Sequence, residues 1–320
     1  MKIHILVNAN IILVATGPPA PLNNVSHGGH FFLFAWYFML KQPKTYTEQL
    51  EIIRSRKCRI DDEVECIEIL KQTNYYRLSA YLLPFKNNDN YKIGTDFKTI
   101  YNIYEFDRKM RRIVFSAIEE VEIYLRSNFA YFHAHKYGTI GYKNKENYNN
   151  KHKHEKFLEL INKEIKKNEN SLIVKHHNNK YGGEFPVWVI MEFFTFGMLS
   201  YFYSDLTTQD KKILSHSLYK TIPDNIESWL RCCTDIRNIC AHYGRLYYRI
   251  FSAIPANIPE NIQKRSFFAA IIAVKSLYPD TNKWNNEILP EIKSLLFDYK
   301  AHIHLFHIGF PSDWEEILMK

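Results

Sequence analysis

FKTIYNIYEFDRKMRRIVFSAIEEVEIYLRSNFAYFHAH, Phe97 to His135, decides the fold class. Apolar side chains recur at helical spacing through Ile100, Ile103, Phe106, Met110, Ile113, Ala117, Val121, Tyr124 and Phe129, and the other side is charged. Before it, the polar run KNNDNYKIGT, residues 86 to 95, reads as a linker or hairpin and sets a boundary near 95. Further upstream, TYTEQLEIIRSRKC offers Thr45 or Thr47 as a helix cap. IDDEVECIEILKQT opens on paired Asp before Val64, Ile67 and Leu70, and NYYRLSAYLLPF is a short helix ended by Pro84.

Downstream, GTIGYKNKENYNNKHKH has loop composition, and residues 143 to 180 hold ten Lys against five Glu. FPVWVIMEFFTFGMLSYFY, opened by Pro186, is apolar nearly all round and reads as one central core helix. IPDNIESWLRCCTDIRNICAHYGRLYYRIF reads as another, with Asp224 as its cap, and further helices follow after 260 and near 285 to 300. No repeat, strand alternation or glycine-rich phosphate loop appears, so the chain is expected to be all-α. The divisions are an N-terminal extension (1–40), an N-terminal helical region (41–95), a helical core (96–300) and a tail with a short helix (301–320).

Residues 1 to 40 differ in kind. MKIHILVNANIILVATG resembles a poor leader, PPAPLNNVSHGGH is loop-like, and FFLFAWYFML is too short to span a bilayer. A membrane-seeking leader, an ordered extension and an upstream stretch preceding a true start at Met39 are the competing readings, and the last is preferred. Five cysteines, an odd number without CxxC spacing, fit buried thiols in a reducing, cytoplasmic setting and not a zinc cluster. The HxH pairs, His133 with His135, His152 with His154 and His302 with His304, lack a completing Cys or carboxylate array. No metal or other cofactor is therefore expected. A net charge of +8 and a pI near 9.0 favour a polyanionic partner, RNA among them, and a membrane partner is not expected.

RNICAHYGRLYYR, Arg237 to Arg249, carries the chemistry. On a continuous helix Arg231, Asp235, Asn238, His242, Arg245 and Arg249 share one polar stripe, opposed by Trp229, Cys232, Ile236, Tyr243, Tyr247 and Ile250. By spacing alone this stripe is a solvated face or a site. Arg237 lies about 140° around the helix from His242, so ideal geometry does not join the two, and Gly244 is a place where the helix can end or bend.

Arg237, Asn238, three residues and His242 form the R-N-x3-H version of the RxxxxH motif, and the stretch resembles the hallmark of the Abi-like, abortive-infection branch of the HEPN ribonuclease superfamily. TYTEQLEIIRSRKCRIDDEVECIEILKQTNYYRLSAYLLPF, FDRKMRRIVFSAIEEVEIYLRS, HKYGTIGY and FPVWVIMEFFTFGMLS resemble that family's successive blocks, in order, over about residues 41 to 255. The resemblance implies a HEPN-type helical bundle with an N-terminal helical extension, acting as a metal-independent RNA endonuclease and anti-phage toxin. It makes Arg237, Asn238 and His242 catalytic.

The chemistry is coherent with that. RNA brings its own 2′-OH nucleophile, His exchanges protons near neutral pH, and Arg clamps phosphate charge. Arg231, Arg245 and Arg249 are the candidate RNA-binding residues, with a solvated role equally open for the last two. One His serves poorly as both acid and base, so the family implies two motifs paired across a homodimer. Arg126 and His133, in RSNFAYFH, form a possible second motif within the chain. A Tyr two places after the motif His, the target of a partner enzyme in one subgroup, is here Gly244. The alternative is a non-catalytic RNA-binding or interaction module of the same fold; a third reading, a membrane-associated toxin, depends on residues 1 to 40. The RNA cut, the trigger and any antitoxin or regulatory RNA are not legible.

Overall fold

The computed structural model describes residues 42–319, and the readings made for residues 1 to 40, including the start at Met39, lie outside them. The described chain is essentially all-α, with one two-residue hairpin as its sheet. The N-terminal helices are α1 (Tyr46–Ser55), α2 (Glu63–Gln72) and α3 (Tyr75–Leu82). Thr45 is the cap of α1, in a reciprocal capping box with Glu48, and Asp62 caps α2 through the Glu65 amide. A short 3-10 turn holding Pro84 follows α3. Strands β1 (Lys86–Asn87) and β2 (Asn90–Tyr91) then pair antiparallel, so the polar run is a hairpin.

Helix α4 (Phe97–Tyr137) is 41 residues long, roughly 60 Å, opened by Asp96 accepting from the Thr99 amide at 3.0 Å and closed at Gly138, whose φ is 82°. Its apolar stripe is buried as the spacing requires, apart from Ile113 and Tyr124, which are half-buried. The remaining helices assemble around it: α5 (His154–Lys167), α6 (Leu172–Tyr181), α7 (Val187–Ile190), α8 (Phe196–Asp205), α9 (Thr208–Tyr219), α10 (Pro223–Ala241) and α11 (Phe267–Leu277). The short α12 (Thr281–Lys283) runs through a π-turn into α13 (Leu289–Asp298), and α14 (Trp314–Met319) closes the described chain. Helix α4 packs against α3, α7, α8, α10, α11 and α13. No helix of the described residues is long and apolar enough to cross a membrane.

Two expectations about the extent of helices need correction. The apolar run 185–203 is not one helix. It is α7, a 3-10 turn at Met191–Phe193 and α8, divided where Thr195 caps α8 through the Met198 amide. The carbonyls freed at the break are taken up by Arg126 of α4, which donates to Glu192 O at 3.1 Å and Phe194 O at 2.6 Å. The helix enclosed on every side is α11, where Phe267 to Val274 are all buried. The second correction concerns α10, which ends at Ala241 and not near Phe251.

Candidate functional site

Helix α10 starts from Pro223 at its first turn; Asp224, expected as its cap, lies inside that first turn, and Ile222 holds the cap position without a side-chain cap bond. Ile226, Trp229, Leu230, Cys232, Cys233, Ile236 and Cys240 bury one side of it against α4, α8 and α11. All five cysteines are buried free thiols, and burial pushes the Cys232 and Cys240 thiols up to about 12. Their place is packing, and the motif side chains occupy the other side.

The helix terminates at the motif itself. His242 is the C-terminal cap residue. Tyr243 then takes a left-handed conformation, with φ at 57°, donating to Cys240 O at 3.1 Å, and the Gly244 amide reaches back to Ile239 O at 2.7 Å. These two bonds are the Schellman pattern, in which glycine usually fills the left-handed position. Here that position holds Tyr, at a cost of about 1–2 kcal/mol in backbone strain. The glycine comes one residue later, where a β-carbon would meet Ile239 Cγ2 at 3.0 Å.

The turn is gripped from the α3–α4 side. Arg77 donates to Tyr243 O at 2.9 Å and Arg111 to Gly244 O at 3.0 Å. Just beyond, the fully buried Asp107 carboxylate accepts from the Leu246 and Tyr247 amides at 3.0 and 2.9 Å, from Tyr81 Oη at 2.6 Å and from Arg111 at 2.7 Å. Burial pushes the Asp107 carboxyl up, while Arg111 and these donors act the other way. Asp107, Arg111, Tyr81 and Arg77 therefore position the residues next to the motif. The sequence reading missed all four. Its one available signal was two charges, Asp107 and Arg111, a helical turn apart beside the core stripe of α4.

The polar stripe foreseen over 231–249 holds only as far as the helix. Arg231 and Asn238 are exposed on α10, and His242 is exposed at its end. Asp235 turns inward and accepts from the Ala253 amide at 3.2 Å. Past the turn, Arg245 folds back to donate to Ala80 O, with its guanidinium 5.9 Å from the Tyr81 ring, and Arg249 is exposed away from the stripe. In the opposing apolar stripe, Tyr243 and Ile250 are exposed for the same reason.

Arg237 points into a groove of about 380 Å³ between α10 and α4, walled by Phe115, Glu119, Glu122, Ile123 and Arg126. Its Nε lies 3.9 Å from Glu122 Oε2, and its guanidinium is 5.9 Å from the Phe115 ring. The Arg237 side chain is 29% exposed and makes no hydrogen bond among the described residues; its Nε is buried, so the terminal guanidinium nitrogens are the donors that can meet an anion. His242 does not line this groove. The contacts of Arg237 with Phe115 and Glu122, of Gly244 with Arg111 and of Leu246 with Asp107 descend α4 as they climb the chain from α10. The two helices run antiparallel, with His242 exposed where α10 ends.

The other Arg and His of the sequence reading have different surroundings. Arg126 shares the groove but is committed to Glu122 and to the carbonyls at the α7–α8 break. His133 is 0% exposed, packed among Tyr137, Tyr148 and Phe202, with neither ring nitrogen hydrogen-bonded. Burial pushes its imidazole down to about 4, with Asp210 acting weakly the other way. In this conformation the ring cannot meet an RNA phosphate.

The remaining histidines of the HxH pairs also have structural partners. His135 bonds Tyr131 O at 2.8 Å, and His152 bridges Asp205 at 2.8 Å and His154 at 3.2 Å. His302 meets Asn102 at 3.2 Å, and the His304 ring lies edge-on to His307 at 5.4 Å while its amide donates to Tyr247 Oη at 2.7 Å. Among the described residues no group of three or more His, Cys, Asp or Glu side chains is placed to hold a metal ion.

No curated protein and no solved structure matches the chain. A family model described as Abi-like protein matches residues 68–248, from within α2 to just beyond the gripped turn, and so takes in Asp107, the groove and the motif. That match covers more than half of the chain, which therefore belongs to the Abi-like protein family.

Proposed function

We propose that the protein is a metal-independent RNA endonuclease of the HEPN type that acts as an abortive-infection toxin, with Arg237 and His242 in the reacting shell. The observation that carries this reading is an Arg237 guanidinium without hydrogen-bond partners, facing a groove, five residues before an exposed histidine at the end of the same helix. Cleavage begins with attack of the ribose 2′-oxygen on the adjacent phosphorus. The 2′-O–P bond forms and the 5′-O–P bond breaks, leaving a 2′,3′-cyclic phosphate and a 5′-hydroxyl. One proton leaves the 2′-OH for a base and another reaches the departing 5′-oxygen from an acid. Arg237 holds the phosphoryl charge, which grows in the transition state, through its bidentate fork. His242 is the proton carrier. Asn238, exposed one turn before His242, orients the pair.

His242 and Arg237 make no contact with each other within one chain. Two copies facing each other through the ends of α10 supply a second His242, so that acid and base are separate groups. We therefore infer a homodimer as the active form, with Arg231 and Arg249 available to flanking phosphates. In this reading Arg126 is a wall of the groove, Arg245 a brace of the post-motif turn, and His133 a core residue. A single experiment tests the chemistry. The protein in excess EDTA should cut labelled RNA to products with 2′,3′-cyclic phosphate or its hydrolysis product, and should leave the all-2′-deoxy strand bound through its phosphates but intact. Cutting of the deoxy strand, or activity lost in EDTA and restored by a divalent metal, refutes it.

A further inference from the structure

Tyr243 is a costly choice for its position. It occupies the left-handed site of the Schellman turn, which glycine fills without strain, and yet the turn keeps an aromatic residue there. The backbone is held in that state by the Gly244–Ile239 and Tyr243–Cys240 hydrogen bonds and by the Arg77 and Arg111 guanidiniums on consecutive carbonyls. Lys220 takes the same left-handed state at the end of α9, so the strain alone assigns no role; what sets Tyr243 apart is an exposed ring beside His242 on a turn held by this many restraints. The ring itself contributes nothing to the fold. Tyr243 is 68% exposed, outside the aromatic clusters of the described residues, and its hydroxyl is not hydrogen-bonded. It projects next to His242 from a rigid turn, and Arg77, the residue gripping that turn, follows a second exposed ring, Tyr76, at 84% exposure.

We propose that the Tyr243 ring is the stacking platform for an unpaired RNA base beside the cut, so that the enzyme acts on single-stranded and not duplex RNA. The inference rests on the ribonuclease reading for the position of the cut and on Tyr243 for the base. A base can lie on a flat ring only when it has left its own helix, and stacking of this kind is tolerant of sequence. Rigidity of the turn matters because the platform then adds affinity without an ordering cost at the moment of binding.

The test is equilibrium binding of a 2-aminopurine-labelled single-stranded oligoribonucleotide, and of the same strand in a duplex, to the wild-type chain, Tyr243→Phe and Tyr243→Gly. Glycine suits the left-handed site, so Tyr243→Gly should melt no lower than wild type. It should bind the single strand about tenfold more weakly and lose the quenching of 2-aminopurine, with duplex binding unchanged, while Tyr243→Phe stays within about twofold. Single-strand affinity equal to wild type in Tyr243→Gly, or an equal loss for duplex, overturns the platform. RNA bound in a ring-dependent way but never cut refutes the ribonuclease reading and leaves the platform standing. Cutting with Tyr243→Gly indistinguishable from wild type does the reverse, and wild-type chain that binds neither RNA refutes both.

Discussion

The chain holds two Arg–His combinations, Arg126 with His133 on α4 and Arg237 with His242 on α10, and their surroundings divide them. Arg126 spends its guanidinium on hydrogen bonds to Glu122 and two backbone carbonyls, whereas Arg237 has only a 3.9 Å contact with Glu122 and makes no hydrogen bond. His133 is enclosed by aromatic rings and held neutral, whereas His242 stands in solvent at a helix end. The difference teaches that a motif's spacing names residue types only. Whether an Arg can take a phosphate depends on what already occupies its donors, and whether a His can carry a proton depends on water reaching it.

The largest expected effect on this contrast comes from the α10 pair. His242→Ala should lower RNA cleavage by about 10²- to 10⁴-fold in single-turnover assays, and Arg237→Lys, which keeps the charge and loses the fork, should also impair it. Neither should lower the melting temperature appreciably, because His242 is exposed and Arg237 makes no hydrogen bond. Next comes the support beneath the motif. Asp107→Ala strands the Arg111 charge and two amides in the interior, and chemical denaturation should show a loss of about 3–5 kcal/mol.

His133 gives a smaller effect with a defined pH sign. Its folded value lies near 4, below the ordinary 6.5, so the unfolded chain takes up a proton first as the solution is acidified. The contribution is complete above about pH 6.5 and is lost as pH falls toward 4. His133→Phe should therefore flatten the loss of thermal stability between pH 6.5 and 4 while leaving cleavage at neutral pH intact. An unchanged acid profile would mean that the ring is solvated. The smallest effect is that of Asn238→Ala. It should reduce the cleavage rate less than His242→Ala, since Asn orients neighbours and carries no proton; an equal loss would give Asn238 a larger part than orientation.

Much of the fold was legible because it rests on local rules. The stretch read as helix, ending at His135, stops two residues before the observed end of α4 at Tyr137, and cap and turn chemistry narrowed the start of α1 to Thr45 or Thr47 and residues 86–95 to a linker or hairpin. The break in 185–203 was not legible, because the groups that stabilise it, the Arg126 donors, lie 66 and 68 residues before the carbonyls they bind. The end of α10 was misread for a different reason. Gly244 is a visible stop signal, but the left-handed residue is Tyr243, and the restraints on it come from Arg77 and Arg111 far upstream. His133 did carry a usable signal. It follows Val121, Leu125 and Phe129 at intervals of four, so it continues the core stripe of α4, and burial was the reading that periodicity favoured.

The most direct test sets the two histidines against each other under one condition. Wild-type chain, His242→Ala and His133→Phe are compared on end-labelled single-stranded RNA at neutral pH in EDTA, with folding of each checked by circular dichroism. The account requires wild type and His133→Phe to cut at similar rates and His242→Ala to fold normally and cut at least about a hundredfold more slowly. Folded His242→Ala that cuts like wild type, or cleavage abolished in His133→Phe alone, would contradict it.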